Sequence, residues 1–168
     1  MLPYQMVALF GLATRYNRKG ARILEIGTGH GSSAFMISRA ASRAAIVTLT
    51  VNALEANRAR SGLARAGCTN VNIIVERSVE YFKRGVEAWD AIFVDGNHKH
   101  IAADLPWFNR LQVGGFFLCH DYSQDSNPIV YTVLNGLADR LGRGFDVSVI
   151  DELRLGMAGF YRRDGETI

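Results

Sequence analysis

A chain of 168 residues, 48% of them hydrophobic, can bury one sizeable core but leaves no room for a second folded domain, so a single domain over 1–168 is expected. Its formal net charge of +3 comes from scattered arginines; no basic run exceeds two residues and none alternates with aromatics, which counts against nucleic acid as a partner. Cys68 and Cys119 are isolated thiols, no stretch approaches the roughly 18 apolar residues of a membrane span, and the start lacks the basic lead of a signal peptide, so a reduced, soluble, cytoplasmic protein is expected.

Leu2, Met6, Leu9, Ala13 and Tyr16 fall at helical spacing before the stop Arg18-Lys19-Gly20, which predicts a docked N-terminal helix over 1–20. A strand follows near 22–27 and runs into Glu25-Ile26-Gly27-Thr28-Gly29-His30-Gly31-Ser32, a glycine-rich turn that opens a helix near 32–42. Such a turn brings bare backbone close to a nucleotide-like ligand. A dinucleotide fingerprint needs its third small residue one place later, where Ser32 stands, and a P-loop needs a Gly-Lys-Ser or Gly-Lys-Thr that the turn lacks. Glu25 would repel a pyrophosphate, whereas it can accept from the ammonium of an amino-acid-bearing cofactor, directly or through water.

Strands near 45–51, 71–75, 89–95 and 114–120 alternate with helices near 53–66, 77–85 and 99–111, marked by the stripes Leu54, Arg58, Ser61, Leu63 and Ile101, Leu105, Phe108, Leu111. Asn127-Pro128 opens a further helix to about Arg143, and Phe145–Ile150 and Leu155–Tyr161 read as a closing hairpin around a turn at Asp151–Arg154. The alternation predicts an α/β fold, a parallel sheet covered by helices on both faces, with seven strands in all. In such a sheet the ligand lies beyond the carboxyl ends of the strands. There the fourth strand ends in Val94-Asp95-Gly96-Asn97-His98 and the fifth in His120-Asp121-Tyr122. An aspartate that closes an Ile-Phe-Val strand is costly near a core unless it binds something.

The complete acidic-x-Gly-x-Gly-x-Gly match at Glu25, Gly27, Gly29 and Gly31 resembles the first motif of class I S-adenosylmethionine-dependent methyltransferases. The later pair of motifs, Val-Asp-Gly-x-His and Gly-Gly plus a strand ending in His-Asp-Tyr, resembles a small bacterial branch of that family, linked to small-molecule O-methylation. The resemblance implies a Rossmann-like, doubly wound, seven-stranded and mostly parallel sheet with an antiparallel last strand and helices on both faces, and S-adenosylmethionine as cofactor, held by Glu25, Gly27, Thr28, Gly29, Gly31, Ser32 and Asp95. It also implies an acidic residue on the ribose after the second strand. That place falls on Thr50, with Asn52 or Glu55 as substitutes, and Ser78 is the candidate at the adenine or, equally, a helix cap. Two mechanisms stay open for the acceptor. In one, Asp95 and Asp121 hold Mg²⁺ as in catechol-type enzymes, although Tyr122 stands where those offer an asparagine oxygen. In the other, His98 or His120 is a general base that Asp121 orients. With about 20 residues before the first strand, three expectations stay open: an open site, a partner subunit as lid in a homo-oligomer, or a truncated start. The rival readings are an inactive S-adenosylmethionine- or nucleoside-binding module, supported by Thr50, and an NAD-dependent oxidoreductase, opposed by Ser32 and the lack of a Tyr-x-x-x-Lys pair. An RNA methyltransferase is weaker still, for want of a basic stripe.

Overall fold

The computed structural model describes residues 1–85, 88–150 and 156–168; the expected turn at Asp151–Arg154 and the first residue of the last expected strand, Leu155, lie outside them. The elements are α1 (Pro3–Thr14), β1 (Arg22–Ile26), α2 (Ser32–Ala40), β2 (Ala45–Thr50), α3 (Ala53–Arg65), β3 (Val71–Val75), α4 (Ser78–Lys83), β4 (Trp89–Val94), α5 (Ile101–Asp104), β5 (Leu111–His120), α6 (Pro128–Leu141), β6 (Val147–Ile150) and β7 (Gly156–Tyr161). They form one seven-stranded sheet in the order β3-β2-β1-β4-β5-β7-β6, with β7 antiparallel to both neighbours. The predicted fold class is the observed one. The order reverses between β1 and β4, and this is where an open α/β sheet leaves a crevice.

The interior β-strands bury both faces because helices cover both. On one side Ile23, Ile46, Phe93, Phe116 and Leu118 meet Leu9, Ala13 and Ile37 of α1 and α2. On the other Leu24, Ile26, Ile92 and Phe117 meet Tyr81, Ile101, Leu134 and Leu137 from α4 to α6. At the amino ends of the strands Asp90 is buried and accepts from Arg18 and from the Arg22 backbone N–H at 2.8 Å, which ties the chain after α1 to β4.

Three expectations need correction. The helix expected over 99–111 is one α turn, α5, between 3-10 turns at His98–His100 and Leu105–Arg110. Pro106 has no N–H to donate back, so an α-helix cannot run through it. The strand expected from 114 begins at Leu111, and the register between β4 and β5 shifts between Trp89 and Ala91 where Gly114 takes a φ of 79°. The stripe read from Leu54 is not the buried face of α3, because Leu54 is 69% exposed while Ala56, Ala59 and Leu63 are inside. The small side chains let α3 approach the glycine turn closely. Among the described residues no helix is long and apolar enough to cross a membrane.

Candidate active site

Three glycines of the turn do three different things. Gly27 has a φ of 106°, and a Cβ there would stand 2.2 Å from the carbonyl oxygen of Asp95, so this glycine lets the end of β1 lie on the end of β4. Gly31 caps α2 with a φ of 84°, and a Cβ there would meet Ala59 of α3 at 3.1 Å. Gly29 has a φ of 48° with nothing within 4 Å of its missing side chain, so its bare backbone faces open space on the cleft wall. The amides of Gly27 and Thr28 do not face that space as acceptors would need, because both donate to Leu49 O, at 2.9 and 3.0 Å.

The cleft encloses about 700 Å³ and runs across the ends of four strands, a size typical of small-molecule sites. Gly27 to Gly29 line it from β1, Leu49 to Val51 and Glu55 from β2 and α3, Glu76 to Val79 from β3, and Asp95 to Asn97 from β4, with His100, Ala103 and Asp104 closing the far wall.

Beneath the turn Glu25 is completely buried, and Thr48 Oγ1 donates to its Oε2 while Thr28 Oγ1 stands 2.8 Å from Thr48 Oγ1. Glu25 therefore supports the turn from below and is not a wall of the cleft, and the hydroxyl of Thr28 is spent on the same chain. Burial pushes the Glu25 carboxyl up to about 7, against the pull of the Ser33 and Thr48 hydroxyls and helped by the Asp95 charge, and Oε1 takes no hydrogen bond. The native state thus keeps a proton that the unfolded chain has lost, so this group's contribution to stability falls as pH rises from 4.5 to about 7. Its full size is about 3 kcal/mol. Glu25→Gln cannot ionise, so the drop in melting temperature of the cofactor-free protein between pH 5 and pH 7.5 should shrink; an unchanged drop would contradict the assignment.

The three residues expected near a ribose have different partners. Asn52 is a helix cap, its Oδ1 accepting from Leu54 N at 3.0 Å and Glu55 N at 3.3 Å. Thr50 Oγ1 donates to Glu55 Oε2 at 3.1 Å and accepts from Asn52 N, so a carboxylate is held beside Thr50 on the cleft wall. Ser78 is the first residue of α4 with Arg77 as the cap, and its hydroxyl donates to Asp104 Oδ1 at 2.5 Å; it lines the cleft but does not cap α4. Ser32 opens α2 and is exposed.

Asp95, His98, His120 and Asp121 come together where β4 and β5 end. His120 Nδ1 lies 3.0 Å from Asp95 Oδ1 and 3.2 Å from Asp121 Oδ1, and His98 Nε2 lies 2.9 Å from Asp121 Oδ2. None of these contacts is in line for a hydrogen bond. Burial lowers the His120 pKa, but the two carboxylates outweigh it and raise it to about 9. Burial raises the Asp121 pKa, and the His120 and His98 contacts reverse this to a net lowering. Asp121 carries a φ of 57°, the one left-handed non-glycine among the described residues, a strain of about 1 kcal/mol or more that sites retain for geometry. His120 is thus a buried cation between carboxylates, unsuited to take a proton. His30 and His100 are exposed.

Sequence reasoning passed over Gln5, Thr48 and Asp104. Gln5 is 1% exposed and its Oε1 lies 3.0 Å from His120 Nε2; a polar residue on the Leu9–Ala13 stripe was the available sign. Thr48 and Asp104 likewise interrupt apolar patterns and are buried.

A glycine turn, an open cleft at the sheet's reversal and a carboxylate–histidine cluster lie together at the carboxyl ends of the strands. A family model described as a methyltransferase domain matches residues 24–122. The chain belongs to that methyltransferase family. No curated protein matches the methyltransferase in sequence. Among solved structures it is similar to an O-methyltransferase from Bacillus cereus in complex with SAH (S-adenosylhomocysteine), at 18% identity over 96% of this chain and 82% of that one, TM-score 0.78. It is also similar to the O-methyltransferase TomG of Streptomyces achromogenes, involved in tomaymycin synthesis and bound to SAM, at 23% identity over 96% and 81%, TM-score 0.77. An rRNA methylase from Streptococcus thermophilus shares 14% identity over 98% and 99%, TM-score 0.73. These likenesses concern the fold. The methyltransferase places its matched segment, 24–122, over the glycine turn and both aspartate-ended strands.

Proposed function

We propose that this methyltransferase uses S-adenosylmethionine to methylate an oxygen of a small molecule. The observation that carries the reading is the position of Asp95, which lines the cleft and also stands 3.0 Å from His120 in the titratable cluster. A ligand in the cleft and a polar acceptor beside it would meet at that carboxylate. The cradle suits the cofactor, since Gly29 offers backbone with no side chain in the way. S-adenosylmethionine supplies an electrophilic methyl on a sulfonium, so the protein needs no nucleophile of its own. What remains is alignment and removal of one proton. Asp95 orients the acceptor hydroxyl, and His98, held by Asp121, is the base placed to receive its proton. His120 balances the two carboxylates.

Glu55 takes the ribose role that the family gives to a strand-end acid, with Thr50 fixing its carboxylate. Glu55→Gln should raise the dissociation constant for SAH roughly ten-fold or more, the cost of replacing a charged acceptor at two hydroxyls. Calorimetric titration checks this, and an unchanged affinity would put the ribose elsewhere. The reaction itself is tested with methyl-labelled S-adenosylmethionine and a panel of hydroxylated small molecules beside total RNA. Label in a small molecule supports the proposal. Label in RNA alone, or SAH binding without any transfer, would replace it with an RNA-modifying or a binding role.

A further inference from the structure

The catechol-type pattern implies an all-oxygen Mg²⁺ site, and the residues here do not fit it. Where that pattern offers an asparagine oxygen, Tyr122 is buried with its ring 5.1 Å from Tyr131 and its hydroxyl accepting from Asn135 at 3.2 Å. The third donor facing Asp95 and Asp121 is a nitrogen instead. His120 Nδ1 stands 3.0 and 3.2 Å from their oxygens, and the three donor atoms lie within 4.8 Å of one another. His120 is 7% exposed, and its Nδ1 points into the cluster with no aligned partner.

The other ring nitrogen is already committed. Gln5 Oε1 accepts from the Leu2 N–H at 2.7 Å and faces His120 Nε2 at 3.0 Å, so an oxygen opposes that nitrogen and Nε2 carries a hydrogen. Nδ1 is directed at two carboxylates, and a divalent cation that displaces its proton would be held by all three donor atoms. Two carboxylates and an imidazole are a mixed nitrogen–oxygen set that suits borderline divalent ions, whereas Mg²⁺ holds to oxygen. A histidine ligand whose far nitrogen is fixed by a buried acceptor is the usual second half of such a site.

The geometry points to a site at Asp95, His120 Nδ1 and Asp121 for a divalent cation of the Mn²⁺ to Zn²⁺ class in preference to Mg²⁺, with Gln5 as the positioning residue that turns Nδ1 toward it. Any part the cation plays in methyl transfer rests on the function proposed above; its binding does not.

The test is calorimetric titration of the cofactor-free protein with MnCl2, ZnCl2 and MgCl2, with the visible spectrum of the Co²⁺ form as a second readout. One Mn²⁺ or Zn²⁺ should bind per chain at least about ten-fold more tightly than Mg²⁺, and Co²⁺ should show bands of a nitrogen-bearing site. Gln5→Leu should weaken Mn²⁺ binding by about 10- to 100-fold, and Gln5→Glu, which keeps an oxygen opposite Nε2, should restore it. His120→Asn should bring the Mn²⁺ and Mg²⁺ affinities together. Failure of the wild type to bind Mn²⁺ or Zn²⁺ at millimolar concentration would overturn the proposal. So would Mg²⁺ binding as tight as Mn²⁺, or Mn²⁺ binding indifferent to both His120→Asn and Gln5→Leu. SAH titrated into the same samples reports on the cleft separately, so loss of SAH binding with the metal retained would count against the methyl-transfer reading alone.

Discussion

Asp95→Asn should lower methyl transfer by about a thousand-fold while SAH still binds within about ten-fold of the wild type. The substitution keeps the shape of the side chain and removes its charge at the junction of the cleft and the histidine cluster, where its carboxylate stands 3.0 Å from His120 Nδ1. The amide can no longer orient an acceptor hydroxyl as a charged oxygen does, and it offers a cation one neutral oxygen in place of an ionic ligand. The Asp95 side chain is 25% exposed, so the fold should lose little, and the melting temperature should move by a few degrees at most. Single-turnover transfer with each variant, set beside SAH affinity, separates the two effects. An Asp95→Asn enzyme within ten-fold of wild-type activity would remove the acceptor-orienting role given to this residue.

Gly27→Ala is the substitution with the largest expected effect on stability. Its Cβ would lie 2.2 Å from Asp95 O and 2.5 Å from the attached carbon, inside any real contact distance, and both are backbone atoms that no rotamer can move. The φ of 106° is itself unfavourable for a side chain. Relief requires β1 and β4 to part at their carboxyl ends, where Asp95 N donates to Ile26 O at 2.8 Å. A cost of about 4 kcal/mol follows, or roughly 10 °C in melting temperature for a chain of this size. Gly29→Ala is the contrast. Nothing lies within 4 Å of its Cβ, so the cost is the left-handed conformation alone, about 1 kcal/mol, while the methyl enters the cleft and SAH affinity falls. Thermal unfolding and SAH titration of the pair should give opposite rankings; equal melting temperatures would contradict the account of Gly27.

The mostly parallel seven-stranded sheet and the gathering of Asp95, His98, His120 and Asp121 beyond β4 and β5 were legible because both depend on pattern and on strand ends. The match of acidic-x-Gly-x-Gly-x-Gly located the turn, yet it could not tell a wall of the cleft from a support beneath it. Glu25 proved to be a support, since its side chain points into the layer shared with Thr48. Register decides such questions, and a strand read in isolation has no register. The same limit explains α3: apolar periodicity pointed at Leu54, while the close approach to Gly31 required alanines. Gln5 was invisible for a different reason. Its partner is His120, 115 positions away, and no local pattern reports a contact of that span. Glu55 was one of three candidates that chain position alone could not separate; the cap at Asn52 and the bond from Thr50 are side-chain contacts that support the proposal for Glu55.

We propose the cleft across β3, β2, β1 and β4 as the cofactor site of this methyltransferase. Calorimetric titration of the purified protein with SAH tests it most directly, with NAD as the control. One SAH should bind per chain with micromolar affinity, abolished or strongly weakened in Gly29→Ala, and NAD should give no heat. A folded protein that shows no SAH binding, or that binds SAH equally well with Gly29→Ala, would contradict it.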